Sequence, residues 1–119
     1  AGAEHIAAAL ESNVKLSKLS LCSNRIGGQG AKQIVHALEK NTCLKTLDLE
    51  SNDIRDDAVR QVFEVLKKNT ALTTLDISSN KFGMQAAEQI GMFLETCPPL
   101  TTLSLRKNDI GRNMSSFAA

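Results

Sequence analysis

The chain has 119 residues, enough for one domain with a substantial apolar core. Fourteen basic residues stand against thirteen acidic ones, and the resulting net charge of +1 is far from the strongly basic balance of nucleic-acid or anionic-membrane binders. Trp and Tyr are both missing and Phe occurs four times, so aromatic platforms for single-stranded nucleic acid are also lacking. Composition therefore predicts a chain that binds neither nucleic acid nor membrane.

Cysteine use and hydropathy indicate the compartment. No apolar run is long enough to span a bilayer, and the start, AGAEHIAAALESN, has no basic residues before its apolar part. The three cysteines are an odd number without a C-x-x-C pair, which argues against a disulfide framework and a zinc site. We predict a reducing compartment, the cytoplasm, with the nucleus as the alternative.

The first element in chain order is a helix, since GAEHIAAALESN places Ala3, Ile6 and Leu10 at helical spacing. From Leu16 onward the pattern L-x-x-L-x-[LI]-x-x-N-x-[IF] occurs four times with a period of 28 residues. The copies are LSKLSLCSNRI from 16, LKTLDLESNDI from 44, LTTLDISSNKF from 72 and LTTLSLRKNDI from 100. Their alternating leucines predict four short strands, each with one buried face.

A helix follows each of the first three strands. The segments GAKQIVHALEKN, AVRQVFEVLKKN and AAEQIGMFLETC carry apolar residues at helical spacing: Ala31, Ile34 and Leu38; Val59, Val62 and Leu66; Ala87, Ile90 and Leu94. Strands joined through helices form a parallel sheet. Because strands pack about 4.8 Å apart and helices about 8–10 Å apart, stacking such units bends the array with the strands inside.

These four copies resemble leucine-rich repeats, and a 28-residue period with a helical second half is similar to the ribonuclease-inhibitor-like class. The resemblance implies an α/β fold, a right-handed solenoid forming a horseshoe segment, with parallel strands on the concave face and helices on the convex face. Proteins of similar repeat type include ribonuclease inhibitors, the ligand-sensing ends of nucleotide-binding immune receptors, and cytoskeletal cappers of the tropomodulin kind.

The repeats together form one leucine-rich repeat domain, 1–119. Residues 1–15 are the helix half of a partial repeat, 16–43, 44–71 and 72–99 are full repeats, and 100–119 is a divergent last repeat. Both ends lack the polar capping unit of a complete solenoid. We therefore expect a segment, or the C-terminal end, of a larger intracellular repeat protein, with weak self-association through its uncapped ends.

Two asparagine columns follow the period. Carboxamides at Asn24, Asn52, Asn80 and Asn108 are expected to satisfy backbone groups where the chain leaves the sheet. A second column, Asn13, Asn41 and Asn69, falls where helices end and is typical of the left-handed cap conformation. Both columns are predicted to serve the fold.

Candidate chemistry is weak throughout. Glycines 27, 28 and 30 complete no phosphate-binding motif, and Asp56 and Asp57 stand where a helix N-cap is wanted. His5 and His36 are expected on the convex surface, with no metal-ligand partner. The cysteines, Cys22, Cys43 and Cys97, are expected to be free thiols because repeat geometry separates them. We predict no enzyme, with no catalytic, cofactor-binding or metal-binding residues.

The surface left for function is the concave strand face. Its candidate partner-binding residues are Lys18, Ser20, Cys22, Thr46, Asp48, Glu50, Thr74, Asp76, Ser78, Thr102, Ser104 and Arg106. Asp48, Glu50 and Asp76 form an acidic patch that suits a basic segment of a partner, although solvated surface charge is the alternative. The sequence thus predicts a non-enzymatic protein–protein interaction module with another protein as its partner. The alternative is a regulator of an enzyme, such as a small-GTPase activator or an enzyme inhibitor.

Overall fold

A computed structural model describes residues 2–96 and 98–109. Within them, four helices alternate with four strands. In chain order these are α1 (Gly2–Ser12), β1 (Lys18–Ser20), α2 (Gly27–Ala37), β2 (Thr46–Asp48), α3 (Asp56–Leu66), β3 (Thr74–Asp76), α4 (Met84–Glu95) and β4 (Thr102–Ser104). None of these helices is long and apolar enough to cross a membrane.

The strands form one parallel sheet in the order β1-β2-β3-β4. Its register follows the sequence period, because Leu19 pairs with Leu47, Leu47 with Leu75, and Leu75 with Leu103. Each helix packs against the next one along the chain, from α1 to α4. The predicted α/β leucine-rich repeat solenoid, with a layer of strands and a layer of helices, is confirmed.

The core lies between the two layers. Leu47 and Leu49 of the second repeat are fully buried against the helices, as are Ile34 and Leu38 of α2. At each end one of these two helix positions is more open, since Ile6 is 37% exposed and Leu94 is 38% exposed, while Leu10 and Ile90 stay buried. These end positions have a packed neighbour on one side only among the described residues, so the pattern alone does not bury them.

The first asparagine column forms the predicted ladder between repeats. Asn52 donates from Nδ2 to the carbonyls of Leu21 and Leu49 at 2.9 and 3.0 Å. Its Oδ1 accepts the backbone N–H of Asn24 and Ile26 at 2.9 and 3.2 Å. Asn80 and Asn108 reach back to the preceding repeat in the same way, whereas Asn24 bonds its own turn only. The buried turns thus keep their backbone groups paired.

The second column serves the fold in a different way from the one predicted. Asn41 accepts the backbone N–H of Cys43 and Leu44 on Oδ1 at 2.8 and 2.9 Å and donates to the carbonyl of Leu10 at 2.8 Å. Asn13, Asn41 and Asn69 have no positive φ, so the left-handed conformation was wrong for them. Positive φ falls instead on the loops after the strands, at Ser23, Arg25, Gly27, Ser51, Asp53, Arg55, Ser79, Lys81 and Lys107.

The N-cap prediction for Asp56 and Asp57 also needs correction. The N-cap residue of α3 is Arg55, and it makes no side-chain cap hydrogen bond. The Asp56 carboxylate accepts the backbone N–H of Gly83 at 2.7 Å and of Ala86 at 3.3 Å, at the start of α4. Because stacked repeats bring neighbouring helix starts together, Asp56 caps the next helix along the array.

The predictions for the histidines and for two of the cysteines agree with the structure. His5 and His36 are exposed. Cys22 and Cys43 are free thiols, and Cys97 lies outside the described residues. Gly28 serves close packing, since a Cβ there would lie 2.9 Å from the Cβ of Ala58 in α3.

Candidate partner-binding faces

The strand face brings the predicted site residues into two rows across the sheet. Sheet register places Lys18, Thr46, Thr74 and Thr102 in one row and Ser20, Asp48, Asp76 and Ser104 in the next. Successive side chains of a strand point to opposite faces, so both rows lie opposite the buried leucines. Cys22, Glu50, Ser78 and Arg106 follow where the strands end. We call this set the strand face.

The acidic patch of the strand face is held by short contacts. Asp48 accepts the backbone N–H of Glu50 at 2.9 Å on Oδ1 and the Ser20 hydroxyl at 3.2 Å on Oδ2. Asp76, its register partner, accepts the backbone N–H of Ser78 at 3.0 Å. Both aspartates are half-buried. One carboxylate oxygen of each fixes the turn, and the carboxylates still present negative charge to solvent.

Three potential metal ligands gather at the edge of this patch. The ligand atoms of Cys22, Asp48 and Glu50 lie within 4.8 Å of one another. Cys22 is exposed, and its thiol donates to Glu50 over 3.9 Å. Exposed acidic groups gather in this way without an ion, so the absence of a metal site stays a prediction.

Ser78 differs from the other members of the strand face. It is 1% exposed, its hydroxyl lies 2.8 Å from that of Ser104, and it accepts the backbone N–H of Arg106 at 3.1 Å. A partner cannot reach it, so Ser78 belongs to the packing between the third and fourth repeats. The sequence signal for this burial was the small side chain of Ser78, since the equivalent positions of the second and fourth repeats carry the larger Glu50 and Arg106.

A second charged group lies on the loops that lead from the strands to the helices, and sequence reasoning missed it. Asp53 accepts from Arg55 Nε at 2.9 Å and from Lys81 Nζ at 3.0 Å, both on Oδ1. The hydrogen bond from Arg55, followed by that from Lys81, holds the pKa of Asp53 below its usual value. We call Asp53, Arg55 and Lys81 the loop cluster. The sequence signal for this cluster was an arginine at position 55, where the neighbouring repeats have Gly27 and Gly83.

A comparison with protein families decides which kind of repeat array this is. Residues 2–116 match the TMOD/LMOD leucine-rich domain, the domain of tropomodulins and leiomodins. The chain belongs to this family. The match names the tropomodulin/leiomodin domain and not specifically the ribonuclease-inhibitor-like class that the period suggested. The family is non-catalytic, which confirms the prediction that the chain is not an enzyme.

Two solved structures from the tropomodulin/leiomodin family share this fold. One, named leiomodin-1 actin-binding site 2, superposes with a TM-score of 0.81 at 24% identity, over 87% of this chain and 61% of that one. The other, the tropomodulin C-terminal domain of Caenorhabditis elegans, gives a TM-score of 0.66 at 14% identity, over 90% of this chain and 64% of that one. The chain thus spans less than two thirds of either structure. No curated protein matches it significantly.

Proposed function

We propose that the chain is an actin-binding module that works without catalysis, as part of a larger cytoplasmic protein of the tropomodulin/leiomodin kind. The observation that carries the proposal is the family match over residues 2–116. The likeness to a leiomodin-1 structure named for an actin-binding site, with a TM-score of 0.81, supports it.

The strand face is the proposed contact surface for actin. Its accessible members are Lys18, Ser20, Cys22, Thr46, Asp48, Glu50, Thr74, Asp76, Thr102, Ser104 and Arg106. The repeat pattern leaves these positions free, because the leucines and asparagines already supply the core and the turns. The aspartates Asp48 and Asp76 lie side by side across two strands. Their adjacent negative charges suit a basic segment of the partner.

The test measures the affinity of the chain for actin monomers by fluorescence titration and for filaments by cosedimentation. Asp48→Lys plus Asp76→Lys reverses the charge of the patch and should weaken binding about tenfold. The matched control, Glu64→Lys plus Glu88→Lys, makes the same change in net charge on exposed helix positions and should weaken it less than about twofold.

The possible results distinguish a failure of the proposed function from a failure of the proposed contact surface. Wild-type chain that binds neither monomer nor filament would show that the proposed function is wrong. If the wild-type chain binds actin and the aspartate variant binds equally well, the strand face is not the contact surface, while the actin-binding function stands. The same conclusion follows if the control variant loses as much affinity as the aspartate variant.

Exposed apolar side chains at the first edge of the array bear on the predicted self-association. Ile6 and Leu16 are more than one-third exposed and Val14 is 72% exposed, and these side chains support weak self-association through the first edge of the array. The description of the matched family mentions neither GTPase activation nor enzyme inhibition. The regulator alternative therefore stays a prediction.

A further inference from the structure

The backbone of Arg55 has a conformation that belongs to glycine. Its φ of 67° and ψ of 169° lie in a region that residues with a Cβ almost never occupy. Gly27, at the same position of the first repeat, has a φ of 71°. Arg55 donates its backbone N–H to the carbonyl of Asn80 at 2.9 Å, as Gly27 does to Asn52 at 2.8 Å. The same backbone hydrogen bond thus accompanies a positive φ at both positions, and glycine adopts it without strain. Gly83 of the third repeat instead has a φ of −125° and donates its N–H to Asp56.

The fold gives no reason for an arginine at this strained position. The side chain of Arg55 is 59% exposed and makes no cap hydrogen bond to α3. Its contact with Asp53 joins two exposed groups, and such pairs contribute little to stability because water and salt screen them. Strained residues that the packing does not need are typical of functional positions.

The loop cluster holds two cations side by side. Asp53 accepts from Arg55 and Lys81 on the same carboxylate oxygen, and Lys81 is 65% exposed. Asp53 engages the Nε of Arg55, so within the described residues the two terminal nitrogens of the guanidinium make no hydrogen bond. That fork matches the two oxygens of a carboxylate. Asp53 thus positions the two cations next to one another.

We propose that Arg55 and Lys81 form a docking site for a carboxylate side chain of a partner protein, beside the strand face and separate from it. The inference rests on the proposed function where actin is the partner. A carboxylate fits better than a phosphate, because Asp53, Asp56, Asp57 and Asp109 lie around the two cations and repel a dianion more strongly than a single negative charge.

The variant Arg55→Gly separates stability from binding. Release of backbone strain should raise the melting temperature by about 2–5 °C, after allowance for the greater freedom of glycine in the unfolded chain. Loss of the guanidinium should weaken actin binding about tenfold. The control Arg60→Gln removes one positive charge from an exposed position of α3 and should change affinity less than about twofold. Lys81→Gln should weaken binding about threefold to tenfold.

Two results would overturn the proposal. A lower melting temperature for Arg55→Gly would show that the arginine serves the fold. Actin affinity equal to wild type in Arg55→Gly would show that its side chain contacts no partner.

A second probe keeps the site testable if wild-type chain does not bind actin, in which case the proposed function fails by itself. A hexaglutamate peptide is titrated at low salt, and binding is followed by backbone amide shifts. Weaker peptide binding by Arg55→Gly than by Arg60→Gln would support a carboxylate site. Equal binding by the two variants would overturn it.

Discussion

The first and second repeats carry the same strand pattern in different surroundings. In the second repeat, Leu47 and Asn52 are fully buried between neighbouring repeats. In the first, Leu19 is half-buried and Asn24 is exposed, because β1 is the outer strand of the described sheet. The comparison teaches that the pattern specifies which face a residue takes, while its place in the array decides how deeply it is buried.

The same two repeats differ at the start of their helices. Gly27 and Arg55 share a positive φ, yet one has no side chain and the other extends a guanidinium toward Asp53. Position in the array does not explain this difference, because both residues donate the same backbone hydrogen bond to the next repeat. The difference in burial between the repeats thus follows from folding, whereas the difference between Gly27 and Arg55 is the one that we propose serves partner binding.

The largest expected effect tests the difference in burial. Asn52→Ala leaves the buried-turn N–H groups of Asn24 and Ile26 without their acceptor and removes the hydrogen bonds to the carbonyls of Leu21 and Leu49, and should cost about 3–4 kcal/mol of unfolding free energy. Asn24→Ala removes two bonds to its own turn, at 2.9 and 3.1 Å, and should cost about 1 kcal/mol. Urea unfolding of both variants measures the contrast. Equal losses would contradict the view that the ladder joins repeats.

A smaller effect tests the loop cluster by titration. The pKa of Asp53 is lowered chiefly by the hydrogen bond from Arg55 and next by that from Lys81. We expect Arg55→Gly to raise the titration midpoint of the Asp53 carboxyl toward its ordinary value, and Lys81→Gln to raise it less. Carboxyl-carbon NMR against pH measures both midpoints. The reverse order would show that Lys81 is the main partner of Asp53.

The sign of the linked stability follows from the direction of that pKa shift. Because the pKa of Asp53 is lower in the folded chain than in the unfolded chain, its carboxylate stabilises the fold at pH values above the unfolded pKa. This contribution is lost as the pH falls through the folded pKa. It is small here because the group is exposed.

Much of the fold could be predicted from the sequence because each repeat is a local unit. The spacing of the leucines located the strands, and the helix segments followed from apolar periodicity. Asn24, Asn52 and their equivalents were correctly placed in a ladder because turns leave backbone groups that need partners. The class of repeat was less accessible, since a 28-residue period is shared by several kinds of leucine-rich repeat protein.

Three features that sequence reasoning missed depend on contacts between repeats. Asp56 caps α4, and Ser78 is buried against Ser104, because stacking brings residues about one period apart into contact. The strain at Arg55 depends on the backbone bond to Asn80 in the next repeat. A pattern read within one repeat contains none of these contacts. Comparing equivalent positions between repeats was the signal available for Arg55.

The central claim is that the strand face contacts actin and that the outer surfaces of the helices do not. Carbodiimide labelling of carboxyl groups, read by mass spectrometry with and without actin, tests it directly. We predict that actin lowers the labelling of Asp48 and Asp76 and leaves that of Glu64 and Glu88 unchanged. Protection of Glu64 and Glu88, with full labelling of Asp48 and Asp76, would contradict the account.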